Sequence, residues 1–502
     1  MQPASRSPVA HVLIGVVIGL LVAGLLVPLT FGQAGTSQIA ASRGPGSPGA
    51  AGAGQPDAGA PTPGQGAAGT AGTTGTAGLP AAGPGASVPI GATAGAGPGA
   101  AARPAVYDQG VTDTSIKVGF LLYDLGGASR AGFTQTGLDP KQQQAAFEAY
   151  VDEVNRSGGI NGRRIDAVYT TYDLLSEDGQ RTACLSMTED QKVFALVGQF
   201  FFRSAYLCAT KEHHRVVMAL GSTATGPDVY TASGGLLFTA FQEGDRMMSN
   251  FAAQLRDAGT LKGATVGILS DDGFDPGATT TNVLEARIKE FGGKVGRHSH
   301  LSADLGTASS QVPVEVQEMR SAGVNVVLLA ANPILSTVFV QLAARQRYAV
   351  KYVTSDWAAM ASEPGQANMP SEYNGTRSYT GLRVGDARAG NPDTPPAVHC
   401  RQVYEAYTHT SLPRDSTPWG VAMGNCNFVR LFSLAAARAG TNLTSAGLSQ
   451  ALQSLGRVEV AQWGDGSYRP GKFGFMDSIR PQHWDSACSC DMPDGPFHPT
   501  PY

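Results

Sequence analysis

The chain has 502 residues, with 36 Lys and Arg set against 40 Asp and Glu and a formal net charge of −4. That length allows two or three domains, and the near balance of charge leaves no basic field for nucleic acid and no acidic tail. Gly numbers 64, and much of it precedes residue 103, so the overall composition describes the remainder poorly.

Residues 12–31 are about twenty apolar or small residues without a charge, enough at about 1.5 Å per residue to span a hydrocarbon core. Arg6 precedes them, which favours a cytoplasmic N-terminus and an external remainder. A cleaved signal peptide is the competing reading; its apolar core is usually about 7–15 residues, so the length favours an uncleaved anchor. Residues 32–105 are Gly, Ala, Pro, Ser and Thr with almost no charge. Such a segment cannot bury enough surface to offset its ordering entropy, and is expected to be a disordered linker with a span of about 50 Å.

From residue 106 the composition becomes that of a globular domain. Periodicity predicts a strand at 116–122, a helix at 141–156, a strand at 164–172, a helix at 181–190, a strand at 193–197, a helix at 204–213 and a strand at 216–220. A second set starts near residue 241, with strands at 264–269, 324–330 and 352–354 and helices at 278–291 and 334–348. Helices follow at 397–407, 421–439 and 445–455, and strands and loops from 458. Alternation of this kind means parallel sheets covered on both faces.

Two pieces carry a resemblance. Gly110-Val-Thr-Asp-Thr-Ser-Ile-Lys-Val-Gly-Phe-Leu-Leu122 is a turn that launches a buried strand, and Gly158-Gly-Ile-Asn-Gly-Arg-Arg-Ile165 ends a helix and turns into the next strand. Together they resemble the opening βαβ unit of type I periplasmic solute-binding proteins, the branched-chain amino acid receptors of ABC transporters. The resemblance covers residues 110–475 or so and implies an α/β fold of two Rossmann-like lobes joined by a multi-crossover hinge. The expected division is 106–240 with about 360–456 in the first lobe, and 241–359 with about 457–502 in the second. Family lipoproteins carry a Cys just after the apolar run; this chain has no Cys before Cys184, which strengthens the anchor reading.

In open α/β sheets, ligands sit outside the carboxyl ends of the strands, where backbone N–H groups and helix N-termini suit an anionic group. Those ends read Tyr123-Asp-Leu-Gly-Gly127, Gly198-Gln-Phe-Phe-Phe-Arg203, Gly221-Ser-Thr-Ala-Thr225, Ser270-Asp-Asp-Gly-Phe274, Ala331-Asn-Pro333 and Ser355-Asp-Trp357. The resemblance implies that Ser222 and Thr223 meet a ligand carboxylate and that Asp356 pairs with a ligand ammonium. It sets Phe274 and Asn332 near positions where family members place aromatics, a habit from which Asn332 departs. Gln199 and Phe200 replace the small hydroxylic residues common in amino acid binders. The candidate ligand set is Tyr123, Gln199, Phe200, Ser222, Thr223, Phe274, Asn332, Asp356 and Trp357. The plain alternatives are turn or helix caps for Ser222, Thr223 and Asp356, core positions for Phe200–Phe202, and a solvated helix residue for Arg203.

Six cysteines (Cys184, Cys208, Cys400, Cys426, Cys488 and Cys490) allow fifteen pairings. The preferred set is Cys184–Cys208 and Cys400–Cys426, each closing a loop of roughly 25 residues worth about 3 kcal/mol. Cys488 and Cys490 form either a local bridge or free thiols. No metal or cofactor is expected: Asp271, Asp272 and Asp275 miss the Ca²⁺ loop spacing, His213 and His214 read as surface residues, and His298 and His300 alternate on a strand. Dinucleotide, Walker, nucleophile-elbow and zinc-protease motifs are missing, so an enzyme is not expected. The resemblance implies an extracytoplasmic protein that captures an amino acid or a related amide, aromatic or organic acid by hinge closure and hands it to an ABC permease. The alternative is a sensing ectodomain of the same fold that acts through a separate partner.

Overall fold

The computed structural model describes residues 107–126, 139–440 and 443–502. The anchor and linker expected at 1–31 and 32–105 lie outside the described residues. Among the described residues no helix is long and apolar enough to cross a membrane.

The first sheet holds β1 (Ser115–Asp124), β2 (Arg164–Asp173), β3 (Ala195–Gly198), β4 (Val216–Ala219) and β5 (Leu237–Thr239), all parallel in the order β2-β1-β3-β4-β5. β1 and the inner strands are near-continuous apolar runs because helices cover both faces, while the edge strand β2 is more polar. Two of these helices are α1 (Pro140–Arg156) and α2 (Glu177–Leu185). Asp139 starts α1 by accepting from Lys141 N–H at 2.8 Å, Pro140 sits where no N–H is needed, and Phe147, Tyr150, Val151 and Val154 form the buried stripe. The two motif glycines have a backbone reason. Gly110 and Gly159 have φ of 79° and 72°, and a Cβ on Gly110 would lie 2.6 Å from Phe194 N, while one on Gly159 would run into the Arg163 carbonyl.

The helices predicted at 181–190 and 204–213 are composite. α2 starts earlier, because Ser176 Oγ accepts from Gly179 N–H at 2.9 Å, and runs into a π-turn at Ser186–Asp190. α3 (Arg203–Leu207) runs into a π-turn at Cys208–Glu212. Cys184 and Cys208 join the two, with Cα atoms 6.4 Å apart, and Cys400 is bridged to Cys426, Cys488 to Cys490. The sequence did not reveal α4 (Pro227–Ala232), β5 or α5 (Gly244–Asp257).

The second lobe contributes β6 (Thr265–Asp271), α6 (Thr281–Glu290), β7 (Lys294–Leu301), α7 (Leu305–Ser321), β8 (Val326–Leu329), α8 (Pro333–Arg345), β9 (Lys351–Ser355), α9 (Glu363–Gln366) and β10 (Arg377–Thr380). Its five strands are parallel in the order β10-β9-β8-β6-β7. α7 was not expected: its stripe is only Ala308, Val312, Val316 and Met319, and Pro313 lies inside it.

β10 corrects the expected lobe division. It pairs with β9, so the chain stays in the second lobe past residue 360 and returns to the first only by α10 (Pro395–Thr408). There α10 and α11 (Thr417–Ala439) pack on α1, and α12 (Ser445–Gln453) packs on α11. A small antiparallel pair, β11 (Gly456–Arg457) and β12 (Ser467–Tyr468), precedes the last crossing. β13 (Ser478–Asp485) then joins β10 antiparallel, with β14 (Cys490–Pro493) and β15 (His498–Pro499) beside it.

Three segments therefore connect the lobes, and they are stitched together. Thr239 N–H donates to Phe473 O at 2.9 Å and Met476 N–H to Ala240 O at 3.1 Å, tying the first to the third. Arg383 N–H donates to Gln462 O at 2.7 Å, tying the second to the third.

Candidate functional site

The strand ends of both sheets face one another across a cavity of about 350 Å³. Its first-lobe wall comes from Leu121, Tyr123, Phe147, Phe201, Phe202 and the loop at Ser222 and Thr223. Its second-lobe wall comes from Phe274, Asn332, Pro333, Ile334, Ala358, Ala359 and the start of α9. Leu382, Gln462 and Trp463 of the connecting segments close one end. This is a mostly apolar concavity with few polar groups, the usual make-up of a small-molecule site.

Two backbone hydrogen bonds cross the cleft. Ala358 N–H donates to Ser222 O at 2.7 Å, and Ala224 N–H to Phe274 O at 2.8 Å. Phe274 also meets Phe201 and Phe202, with ring centroids 6.4 and 6.5 Å apart. Ala224, Ala358 and Ala359 hold φ of 50°, 56° and 58°, a left-handed region that costs an alanine roughly 1–2 kcal/mol. Strain of this sort persists where the surroundings over-determine the backbone, and here it lies at the lines of contact between the lobes.

Of the nine expected ligand residues, Tyr123, Gln199, Ser222, Thr223, Phe274, Asn332 and Asp356 lie on this wall. Phe200 and Trp357 do not. Phe200 is fully buried between Tyr172 and Tyr206, at 6.0 and 5.7 Å between ring centroids, and leaves the cavity to Phe201 and Phe202. Trp357 is fully buried because the turn after it, bent by the positive φ of Ala358 and Ala359, presents those two alanines instead. Arg203 is also absent from the wall: its guanidinium pairs with Asp228 at 2.9 Å. His298 pairs with Glu285 at 2.7 Å on β7, apart from the cavity.

Several of the wall residues have structural employment. Gln199 Oε1 accepts from Gly221 N–H at 3.0 Å, and its amide nitrogen donates to Phe200 O at 2.5 Å. Asn332 caps α8, accepting from Leu335 N–H at 3.0 Å. Asp271, which was not expected here, accepts from Phe274 N–H at 2.9 Å and Asn332 N–H at 2.7 Å. Asp356 accepts from the Thr380 hydroxyl at 2.6 Å and from Gly381 N–H at 2.7 Å. Burial pushes Asp271 up to about 6 and Asp356 up to about 7, against the lowering effect of those hydrogen bonds. Neither has a cationic partner among the described residues.

The start of α11 is the part of the wall that sequence reasoning missed. Gly420, Val421, Gly424, Asn425 and Phe428 face the cavity. Ser416 caps the helix, accepting from Trp419 N–H at 3.2 Å, which sets its start ahead of the expected residue 421. A Cβ on Gly424 would meet nothing within 4 Å, so the missing side chain is part of the cavity. Two glycines four residues apart in an apolar helix are the signal that could have found this face.

Residues 115–485 match the family model described as periplasmic binding protein. The chain belongs to the periplasmic binding proteins. Solved relatives agree in fold at low identity. A fatty acid ABC transporter substrate-binding protein from Thermomonospora curvata shares 17% identity at a TM-score of 0.58, over 79% of this chain and 95% of that one. An ABC transporter solute-binding protein from R. palustris in complex with 4-hydroxybenzoate gives 14% and 0.59, over 77% and 97%. A leucine-binding protein from Thermotoga maritima gives 13% and 0.58, over 77% and 99%. A comparison with curated protein sequences finds no match. This periplasmic binding protein thus has the type I fold, and its family implies an extracytoplasmic place and a binding role. The relatives differ in what they bind, so the fold leaves the solute open.

Proposed function

We propose that this chain is a receptor, without catalytic activity, that captures a small solute with an apolar or aromatic body and delivers it to an ABC permease. The observation that carries this reading is the cavity of about 350 Å³ between two lobes that three stitched segments connect. Solute docks on the first-lobe wall of Phe201, Phe202 and Tyr123, and the second-lobe wall of Phe274 and Ala358 closes over it. Relatives bound to, or named for, a fatty acid, 4-hydroxybenzoate and leucine fit a site whose body contacts are apolar and whose head contacts vary. The apolar run at 12–31 would anchor the receptor to the membrane, and the linker at 32–105 would hold it near the permease at raised local concentration.

A thermal-shift screen of the purified protein against amino acids, amides, aromatic acids and alkyl or aryl amines tests the reading. A solute at about a hundred times its Kd adds about 2.7 kcal/mol, worth a few degrees for a domain of this size. A shift that comes with compaction in small-angle scattering supports capture by closure. Binding without compaction would remove the closure step.

A further inference from the structure

The cavity follows one face of α11. Ser416, Gly420, Val421, Gly424, Asn425 and Phe428 all line it, recurring every three to four residues as positions on one helical face do. From Ser416 to Phe428 that face runs about 18 Å at about 1.5 Å per residue, which makes this part of the cavity a groove. Gly420 is exposed, while Gly424 and Phe428 are buried, so the groove leads from solvent towards the centre of the cleft. Phe428 meets Trp463 at its inner end, with ring centroids 5.3 Å apart. Charge stands at the outer end, where Asp415 and Glu363 both pair with Arg388. Asn425, the one amide on the face, donates to Gln143 O at 3.2 Å. Between the two ends the groove is apolar, with Val421 on α11 and Phe147 on α1.

Gly420 and Gly424 are what open the groove. Glycine inside a helix costs stability, and its usual use there is to let another group come too close for a Cβ. Gly244, which opens α5, is of that kind: a Cβ there would lie 2.9 Å from Thr225 O. The two glycines of α11 are not. A Cβ on Gly424 meets nothing within 4 Å, although the residue is buried, and one on Gly420 meets only Gln462 Nε2 at 4.0 Å. No protein atom crowds either position. Their missing side chains make room along the helix for a group that the chain does not itself supply.

We propose that the solute is elongated: its head sits in the cleft, an unbranched apolar chain lies along α11 from Phe428 to Gly420, and the two glycines decide whether that chain is admitted. This rests on the solute-binding reading above and names the class of solute for the same site. Each methylene laid along the groove leaves water for contact with Phe428, Val421 and Phe147. Because the groove opens to solvent at Gly420, about 12 Å from Phe428 along the helix, affinity climbs with chain length until the chain reaches the mouth and then levels off. A closed pocket would instead reject the longer chains.

The test is calorimetric titration of the whole protein with two homologous series that differ in their heads. One is butanoate, hexanoate, octanoate and decanoate; the other is norvaline, norleucine, 2-aminooctanoate and 2-aminodecanoate. In the series whose head the cleft accepts, affinity is expected to rise about fourfold for each methylene laid in the groove. Gly424→Val narrows the groove at its middle and is expected to abolish that rise. Should this variant fail to fold, Gly420→Val takes its place and is expected to abolish the gain of the longest members. Affinity that is flat or falls with length in both series overturns the proposal, as does a rise that survives the substitution. If neither series binds but a compact solute such as leucine or benzoate does, the proposal falls and the solute-binding reading stands. If no solute shifts the protein in the wider screen, the solute-binding reading falls as well.

Discussion

Asp356 makes the stability of the empty protein depend on pH in an unusual direction. Most folded carboxyls hold their protons less tightly than unfolded ones, but burial raises this one from 3.8 to about 7. Its contribution is therefore fully present below the unfolded value and is lost as pH rises through the folded value. The difference amounts to about 4 kcal/mol once the group is fully ionised, and about 3 kcal/mol of it falls between about pH 5 and about pH 8. Asp356→Asn removes the titration while keeping the shape. The amide oxygen still accepts from the Thr380 hydroxyl, but the amide nitrogen faces Gly381 N–H, a pH-independent cost of about 1–3 kcal/mol. Urea unfolding of both proteins at the two pH values reads the difference. Of the other buried acids, Asp271 and Glu363 slope the same way in both proteins, and Asp491 owes only the smallest of its contributions to Asp356, so subtraction isolates Asp356 to a first approximation. The variant should be less stable near pH 5 and should gain about 3 kcal/mol on the wild type by about pH 8. A gap that does not change with pH would show that Asp356 is not buried uncompensated.

Gly424→Leu should fill the cavity, since a Cβ there meets open space; α11 should be stabilised by about 1 kcal/mol, while any solute that shifts the wild type loses its effect. Normal solute binding by that variant would mean that this helix face is not part of the site. Replacing Cys184 and Cys208 by Ala should lower the unfolding free energy by about 3 kcal/mol, measured in urea without reductant, because the bridge closes a separation of 24 residues and joins two short helices that end in π-turns. Ala359→Gly relieves a positive φ and should raise stability by about 0.5–1 kcal/mol; a loss instead would show that the turn is held by contacts of the methyl group and not strained. Phe274→Ala removes the ring that meets Phe201 and Phe202 across the cleft, and should weaken solute binding more than tenfold while costing about 3 kcal/mol of stability at most.

Much of the fold is local and so was legible. Apolar runs at β1, β3 and β4, the stripe of α1, and the glycine turns at Gly110 and Gly159 each follow from short-range rules of burial and backbone sterics. Their order was enough to imply two α/β lobes and to locate the loops that carry Ser222, Phe274 and Asp356. The lobe boundary was not local. Residues 360–394 have no strong periodicity, and only the pairing of β10 with β9 and β13 shows that they remain in the second lobe.

The chain by itself determined that strand-end loops would supply the cavity, because a parallel sheet puts all its carboxyl ends on one side. It could not decide which side chain of Phe200, Phe201 and Phe202 faces inward, since all three are equally apolar; Tyr172 and Tyr206 settle that by enclosing Phe200. Nor could it show that Asp271 and Asp356 lack a cation among the described residues, or that Gly424 opens a space. Those facts depend on segments more than a hundred residues apart meeting around one cavity, and charge compensation and cavity shape exist only once they meet.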